Sequence, residues 1–270
     1  MNYYDARETR DPLDRESDVL ACLPAQIAHA KANAPAFAAL LKDVDPATIT
    51  TREALAGLPV VRKSELLELQ KGARPFGGFA ALKWGTGCAR VFASPGPIYE
   101  PEGARKDYWR LARAFYAAGF RAGDLVHNTF SYHFTPAGSM TETAAHALGC
   151  TVFPAGVGQT EQQVAAMLDL RPDAYAGTPS FLRIILDKAD ELGVKIDSLT
   201  KAFVSGEAFP PSQCEALVAR GIQAFQAYAT ADIGLIAFET PAREGLVLDE
   251  DILLEIVRPG TGEPVAPGEV

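Results

Sequence analysis

Two short segments of this chain combine residue types able to hold a nucleotide. Tyr228-Ala229-Thr230-Ala231-Asp232-Ile233-Gly234 sets an aromatic plate, a hydroxyl and a carboxylate within five positions. Tyr228 can stack on a base, Thr230 can donate to a phosphate oxygen, and Asp232 can hold Mg²⁺. Ser205-Gly206-Glu207-Ala208-Phe209-Pro210 adds a glycine and small neighbours that let a flat ligand approach the backbone. Taken alone, each segment reads more readily as an ordinary turn: a strand-to-helix connection ending at Pro210-Pro211, and a half-buried tyrosine followed by a Thr-Asp turn cap. Both follow a short apolar run of strand length. Ligands of parallel α/β sheets collect beyond the carboxyl ends of such strands, where helix N-termini and backbone N–H groups attract anions.

The surrounding pattern supplies such a sheet. From Arg15 to about Leu69 apolar residues recur at helical steps, at Val19, Leu20, Leu23, Ile27 and Ala30, and Pro24, Pro35, Pro46 and Pro59 divide the stretch into several short helices. From about Arg90, strand-length runs alternate with amphipathic segments, which predicts an α/β fold with a mostly parallel sheet flanked by helices. The expected strands are Arg90-Ala93, Leu125-Thr129, Thr151-Pro154, Ala174-Ala176, Lys201-Ser205 and Ala224-Tyr228. Helices are expected over Lys106-Ala118, with Tyr108, Leu111, Phe115 and Ala118 on one face, and from Pro136 to Gly149. Thr160 with Gln163 forms a capping-box pattern, and Thr178-Pro179 a cap followed by a first-turn proline. After Gly234 a β-rich end follows, with strands at Leu246-Leu248 and Ile252-Val257 around the acidic turn Asp249-Glu250-Asp251, then a hairpin at Pro259-Gly268. The expected division is a helical segment over 1–89, an α/β nucleotide- and acid-binding core over 90–240, and the start of a β subdomain over 241–270, stopping where another strand is expected.

Composition narrows the partners. The chain has 270 residues, 48% apolar and 22% charged, with net charge −9, so its long-range field repels nucleic acid. No apolar run is long enough for a membrane span, and the charged start is unlike a signal peptide. Cys22, Cys88, Cys150 and Cys214 lack the paired spacing of zinc or redox sites and read as reduced thiols, which gives the cytoplasm as the expected location. His146 and Cys150 share a helix-face spacing near His127 and His133, but the other spacings fit no metal pattern, so a capped histidine and a buried thiol are the favoured reading. Neither a Gly-x-Ser-x-Gly elbow nor a Walker lysine loop is present.

Together and in this order, the two segments resemble the adenine- and phosphate-binding segments of the adenylate-forming acyl-CoA synthetases, nearest the phenylacetate-coenzyme A ligase branch. The likeness continues through Tyr3-Tyr4-Asp5, Ala34-Pro35-Ala36-Phe37, Leu58-Pro59-Val60-Val61-Arg62-Lys63-Ser64-Glu65-Leu66, Gly123-Asp124-Leu125-Val126, Pro154 to Glu161, Thr178-Pro179-Ser180 and Thr261-Gly262-Glu263-Pro264. The resemblance implies an AMP-forming carboxylic acid–coenzyme A ligase using ATP, Mg²⁺ and coenzyme A, acting on a small carboxylic acid, with an aromatic one as the family-based expectation, and compatible with a homodimer. By analogy Ser205, Gly206, Glu207 and Ala208 border the adenine, Tyr228 stacks on it beside Ala229, Thr230 contacts the α-phosphate and Asp232 takes the Mg²⁺ position. Tyr132, His133, Phe134, Ala155, Gly156 and Val157 are expected to line the acid pocket.

The likeness also has departures. Where the family carries a Ser/Thr/Gly-rich phosphate loop, this chain has Ala93-Ser94-Pro95-Gly96-Pro97-Ile98-Tyr99-Glu100-Pro101-Glu102-Gly103. Its prolines lack N–H donors and its glutamates are expected near the triphosphate, so AMP is expected to bind more readily than ATP unless Mg²⁺ bridges Glu100 or Glu102 to the phosphates. Ala229 and Asp232 replace a glycine and a glutamate. The family's later ribose-binding aspartate and C-terminal lysine have no place here, so the chain by itself is expected to be inactive. The rival expectation is a non-catalytic, regulatory protein that binds AMP and an acid.

Overall fold

The computed structural model describes residues 3–94, 96–266 and 268–269; Met1, Asn2, Pro95, Pro267 and Val270, in the N-terminus, the expected phosphate loop and the C-terminal hairpin, lie outside the described residues. A 3-10 turn at Ala6–Thr9 leads into α1 (Pro12–Asn33), α2 (Pro35–Leu40), α3 (Arg52–Ala56) and α4 (Lys63–Gly72). Asp11 starts α1 by accepting from Leu13 N, with Pro12 in the first turn. Pro24 does not break the helix, contrary to expectation: α1 runs through it for 22 residues. No residue of α1 is buried, so water can reach the carbonyl that the proline leaves without a donor.

The first departure of consequence follows. β1 (Lys83–Trp84), β2 (Gly87–Ser94) and β3 (Ile98–Gly103) form a small sheet, and β2 pairs antiparallel with β3 from Cys88↔Gly103 to Ser94↔Ile98. The segment expected as a loop is therefore mostly a strand. Glu100 and Glu102, expected beside the phosphates, are 7% and 1% exposed and point inward. They can do so because each finds a cation, as described below.

After β3 the helix expected over 106–118 is shortened to α5 (Ala112–Ala117), because Asp107 and Arg110 adopt left-handed φ of 49° and 62°. Leu111, Phe115 and Ala118 are buried as their spacing predicts. Then come β4 (Leu125–Asn128), α6 (Ala137–Leu148), β5 (Thr151–Pro154), α7 (Thr160–Leu170), β6 (Ala174–Gly177), α8 (Pro179–Glu191), β7 (Lys201–Val204), α9 (Pro211–Ala219), β8 (Gln223–Thr230), β9 (Gly234–Glu239) and β10 (Leu246–Leu248). Gly149 closes α6 at φ 84°, and the Thr178 hydroxyl caps α8 by accepting from Phe181 N. The capping box at Thr160 does not form: Gln159 holds the cap position without a side-chain bond, while Gln163 turns inward at 4% exposure.

The larger sheet has the order β10-β9-β8-β7-β6-β4-β5, parallel from β5 to β8 and antiparallel beyond. It continues across the division expected at 240, since β10 pairs with β9. Ile252–Val257 forms no strand; the bridge Val257↔Pro264 is what pairs there. Strand alternation sends Phe203 and Phe225 to one face, with Phe115 and Met140, and Ala202, Val204, Ala224 and Tyr175 to the other, with Leu182, Ile185 and Leu217. Helices α5 and α6 thus cover one face, and α7, α8 and α9 the other. The chain leaves β4 toward β5 on one side and β6 on the other, so the strand order reverses between β4 and β6. That is where α/β sheets bind ligands, at the carboxyl ends.

β8 and β9 are joined by the three residues Ala231-Asp232-Ile233, with Thr230 opposite Gly234. Gly234 has φ 83°, and a Cβ there would meet Trp109 O at 2.5 Å. This turn needs glycine for both conformation and space. Gly234→Ala is expected to destabilise the chain by about 3 kcal/mol, read from urea unfolding, through left-handed strain plus overpacking against backbone. A midpoint within error of the wild type would show that the turn is not so placed.

Candidate functional site

Ser205 and Gly206 follow β7, and Ala229 and Thr230 end the adjacent β8. These four residues line one cleft of about 210 Å³ at the carboxyl end of the sheet. Its other walls are Phe130 after β4, Thr135, Pro136, Ala137, Met140 and Thr141 at the start of α6, with Ser94, Leu111, Phe203 and Ala231. An apolar cavity of roughly 150 Å³ holds a benzene, so this one has room for a single aromatic ring with a short arm.

Tyr228 is not among the residues lining the cleft and is 56% exposed. A bulge between Tyr228 and Ala229 shifts the register there, re-aiming the end of the strand. The turn after β7 lies against it, because Ser205 Oγ donates to Ala227 O at 2.7 Å. Gly206, at φ 87°, lies over Thr178 and Phe130, which a Cβ there would touch at 3.7 and 3.9 Å. Thr230 Oγ1 accepts from Ile233 N at 3.2 Å, which leaves its O–H free to donate. Glu207 faces another way: its Oε1 accepts from Ser180 N at 2.6 Å, at the N-terminus of α8.

Beside the cleft lies a charged cluster. Lys63 Nζ, at the first position of α4, is 2.5 Å from Asp232 Oδ2 and 3.4 Å from Glu100 Oε1. Ser94 Oγ donates to the same Glu100 oxygen at 3.0 Å. Burial raises the Glu100 carboxyl above the ordinary range, the Asp232 charge raises it further, and Lys63 only partly opposes this. Burial pulls Lys63 down, but Asp232 and Glu100 more than offset it, so its pKa is raised. Sequence reasoning assigned Lys63 no role; its one signal was the Arg62-Lys63-Ser64 landmark. Glu102 is held apart, by Arg90 Nη1 at 3.2 Å and Ser139 Oγ at 3.0 Å. It is thus unavailable as the bridge to Mg²⁺.

Among the described residues no group of three His, Cys, Asp or Glu side chains could hold a metal. Mg²⁺ is commonly held by one or two carboxylates plus substrate phosphates. Asp232 and Glu100 form such a pair, and the Lys63 ammonium against both marks a place that accepts positive charge.

The expected acid-pocket residues do not line this cleft. Tyr132 OH is tied between Asn128 Nδ2 at 2.7 Å and Glu142 Oε2 at 2.8 Å, Phe134 is 82% exposed, and His133 is exposed. Ala155, Gly156 and Val157 follow β5, the outermost strand, three strand spacings or roughly 14 Å from β7. None of the six lines the cleft. Ala137, Met140 and Thr141 do, and their i, i+3, i+4 spacing on α6 was the available signal. His127 is fully buried, with its Nε2 2.5 Å from Gln163 Oε1.

No family model matches the chain. A phenylacetate-coenzyme A ligase from Aromatoleum evansii is 32% identical over 258 residues, covering 90% of this chain and 57% of that protein. One from Thermus thermophilus is 30% identical over 260 residues, with the same shares. An open conformation of 2-hydroxyisobutyryl-CoA ligase, in complex with 2-HIB-AMP and CoA, matches at TM-score 0.89 and 22% identity over 100% of this chain and 64% of its own. The anthranilate CoA ligase in complex with anthranoyl-AMP matches at TM-score 0.55 and 17% identity, over 74% and 41%. The chain is thus related in sequence to the phenylacetate-coenzyme A ligases, spans about 57% of the length of these two relatives, and carries the fold of the adenylate-forming ligases.

The buried charge on Glu100 gives a pH prediction. A carboxyl whose folded pKa is raised is destabilising when ionised, so the wild type loses stability as pH rises from about 4.5 through the folded value. Glu100→Gln keeps the Ser94 bond and removes the charge. It is expected to unfold at higher urea than the wild type at pH 7, with the gap closing below pH 4.5. A variant less stable at pH 7 would mean that the Lys63 pair outweighs the burial cost.

Proposed function

We propose, for a chain that resembles phenylacetate-coenzyme A ligases over nine tenths of its length, that it forms the nucleotide- and acid-binding part of an AMP-forming acid–coenzyme A ligase. The observation that carries this reading is the convergence of Ser205, Gly206, Ala229 and Thr230 on one cleft, with Tyr228 exposed at its border. The adenine lies on Tyr228, flanked by Gly206, Ala208 and the backbone of Glu207, whose side chain is turned toward Ser180 N. The free Thr230 O–H donates to an α-phosphate oxygen, and Lys63 supplies positive charge beside it. Mg²⁺, when bound at Asp232, neutralises phosphate charge. The acid's side chain enters the cleft between Phe130, Met140 and Ala229, and the cleft's size favours a single ring.

In this reading the acid's carboxylate oxygen attacks the α-phosphorus of ATP, an acyl-phosphate bond forms, and pyrophosphate leaves. The coenzyme A thiolate then attacks the acyl carbon and AMP leaves. The β2–β3 hairpin contributes little to the outer phosphates: Pro97 has no N–H, and Ser94 Oγ is engaged with Glu100 and Ile98 O. The relatives named above are ligases, which favours this reading over a binding-only protein. The four free cysteines are in keeping with a cytoplasmic setting.

AMP titration by calorimetry in the presence of Mg²⁺ tests the site. Tyr228→Ala is expected to weaken binding roughly fivefold, the worth of one aromatic stack, and Thr230→Val and Asp232→Ala to weaken it further when combined with it. Unchanged affinity in Tyr228→Ala and Asp232→Ala alike would remove the β8 reading. Aryl-acid-dependent pyrophosphate exchange, run on a panel of small acids, tests the reaction and ranks the substrates.

A further inference from the structure

A second cavity, of about 670 Å³, lies at the other end of the same strands. Thr200, Lys201 and Gln223 border it at the starts of β7 and β8, whereas Ser205 and Thr230 border the first cleft at their ends. The four to seven residues between put roughly 13–23 Å between the two. The walls are apolar, with Tyr116, Phe225, Phe238 and Val247. The volume falls in the roughly 300–1,000 Å³ range of small-molecule sites, which pair apolar walls with a few fixed polar groups.

The charged groups at this cavity are matched except one. Glu8 is paired with Arg113 at 2.7 Å, Glu250 with Arg10 and Arg15, and Lys201 with Asp124 at 2.8 Å. Arg121 has no carboxylate partner among the described residues. Its Nη1 donates to the carbonyls of Tyr116 and Phe120, both at 2.7 Å, and its guanidinium lies 3.6 Å from the centre of the Tyr116 ring. The adjacent acid, Asp124, is committed to Lys201 and to the Arg121 backbone N–H. Arg121 is thereby fixed in place by its carbonyls and its ring, while Nε and Nη2 keep N–H groups with no acceptor among the described residues. A planar fork of this kind matches a carboxylate in bidentate fashion.

We infer that this cavity is a second binding site, for an apolar carboxylic acid whose carboxylate pairs with Arg121 and whose hydrocarbon lies on Phe225, Phe238 and Val247. The inference stands apart from the nucleotide reading, because it uses no residue of the cleft. A chain that handles carboxylic acids at one end of its sheet would then sense them at the other.

Decanoate, and decanol with the same tail but no charge, are titrated into the chain by calorimetry. Decanoate is expected to bind one to one. Arg121→Met should weaken decanoate tenfold or more, as expected for loss of charge-assisted hydrogen bonds, and change decanol less than twofold. Val247→Trp, on the exposed edge strand, should fill the cavity and weaken both, independently of any effect of Arg121 on α5. Ala137→Trp, which fills the other cleft, should leave decanoate binding unchanged. No decanoate binding at millimolar concentration, binding that survives both Arg121→Met and Val247→Trp, or binding lost in Ala137→Trp overturns the inference. None of these outcomes bears on AMP binding, so the two readings fail separately.

Discussion

A strand that turns two carboxylates inward has to bring their partners with it. Glu100 and Glu102 are two residues apart on β3 and so share a face, the buried one. An unpaired buried charge costs several kcal/mol, and each carboxylate is met by one cation and one hydroxyl. For Glu100 these are Lys63 from α4 and Ser94 from β2; for Glu102, Arg90 from β2 and Ser139 from α6. Because the partners come from different elements, the pair fixes the hairpin against α4 on one side and α6 on the other. Gln70 extends the hold on α4 by exchanging hydrogen bonds of 2.9 and 2.8 Å with the Tyr99 backbone. Lys63 reaches Asp232 as well, so the β8–β9 turn is drawn into the same arrangement. The walls of the candidate cleft are thus positioned by polar contacts of residues that the sequence displays but does not show to be buried.

The N-terminal segment is held by the same physics at a second place. Asp249 and Glu250 are 2% and 5% exposed, and Arg10, Arg15 and Arg110 supply their countercharges, with Arg15 also donating to Asp249 O at 2.6 Å. Arg113 closes the set by pairing with Asp5 and Glu8; burial lowers its pKa, and those two carboxylates more than reverse the change. The Arg7–Asp251 pair is exposed and contributes little beside these. What reads in sequence as an acidic turn between two strands is the socket into which an arginine-bearing N-terminus docks.

The parallel sheet was legible because its signal is local. Strand-length apolar runs separated by amphipathic stretches locate β4 to β8 to within a residue or two, and Gly149 and the Thr178 cap mark helix ends by conformations that few residues supply. What could not be read depends on distant partners. β3 contains Pro101 and two glutamates, a poor strand by composition, and exists because β2 pairs with it and Lys63 and Arg90 neutralise it. Gln163 forgoes the cap of α7 for a buried His127 on β4, 36 positions away. Of the site, the residues placed by strand ends, Ser205, Gly206, Ala229 and Thr230, fall together; those assigned from the loops after β4 and β5, Tyr132 to Phe134 and Ala155 to Val157, are not among the residues lining the cleft. For Ala155 to Val157 strand order decides this, since β5 follows β4 in sequence yet lies outermost in the sheet.

Strand order also bears on where an anion can sit in a chain of net charge −9. The N-terminus of α8 points toward the switch between β4 and β6, the usual place for a phosphate. Here it is occupied from within, since Glu207 accepts from Ser180 N and Thr178 Oγ1 from Phe181 N. Those N–H groups are unavailable to a ligand while Glu207 stays. Cation and hydroxyl remain two strands further on, at Lys63 and Thr230. On the proposed reading the phosphate therefore belongs near the β8–β9 turn and the acid's ring nearer β4 and α6. On that reading the bulge between Tyr228 and Ala229 suits this order, because the exposed Tyr228 stands outside the cleft that Ala229 and Thr230 line.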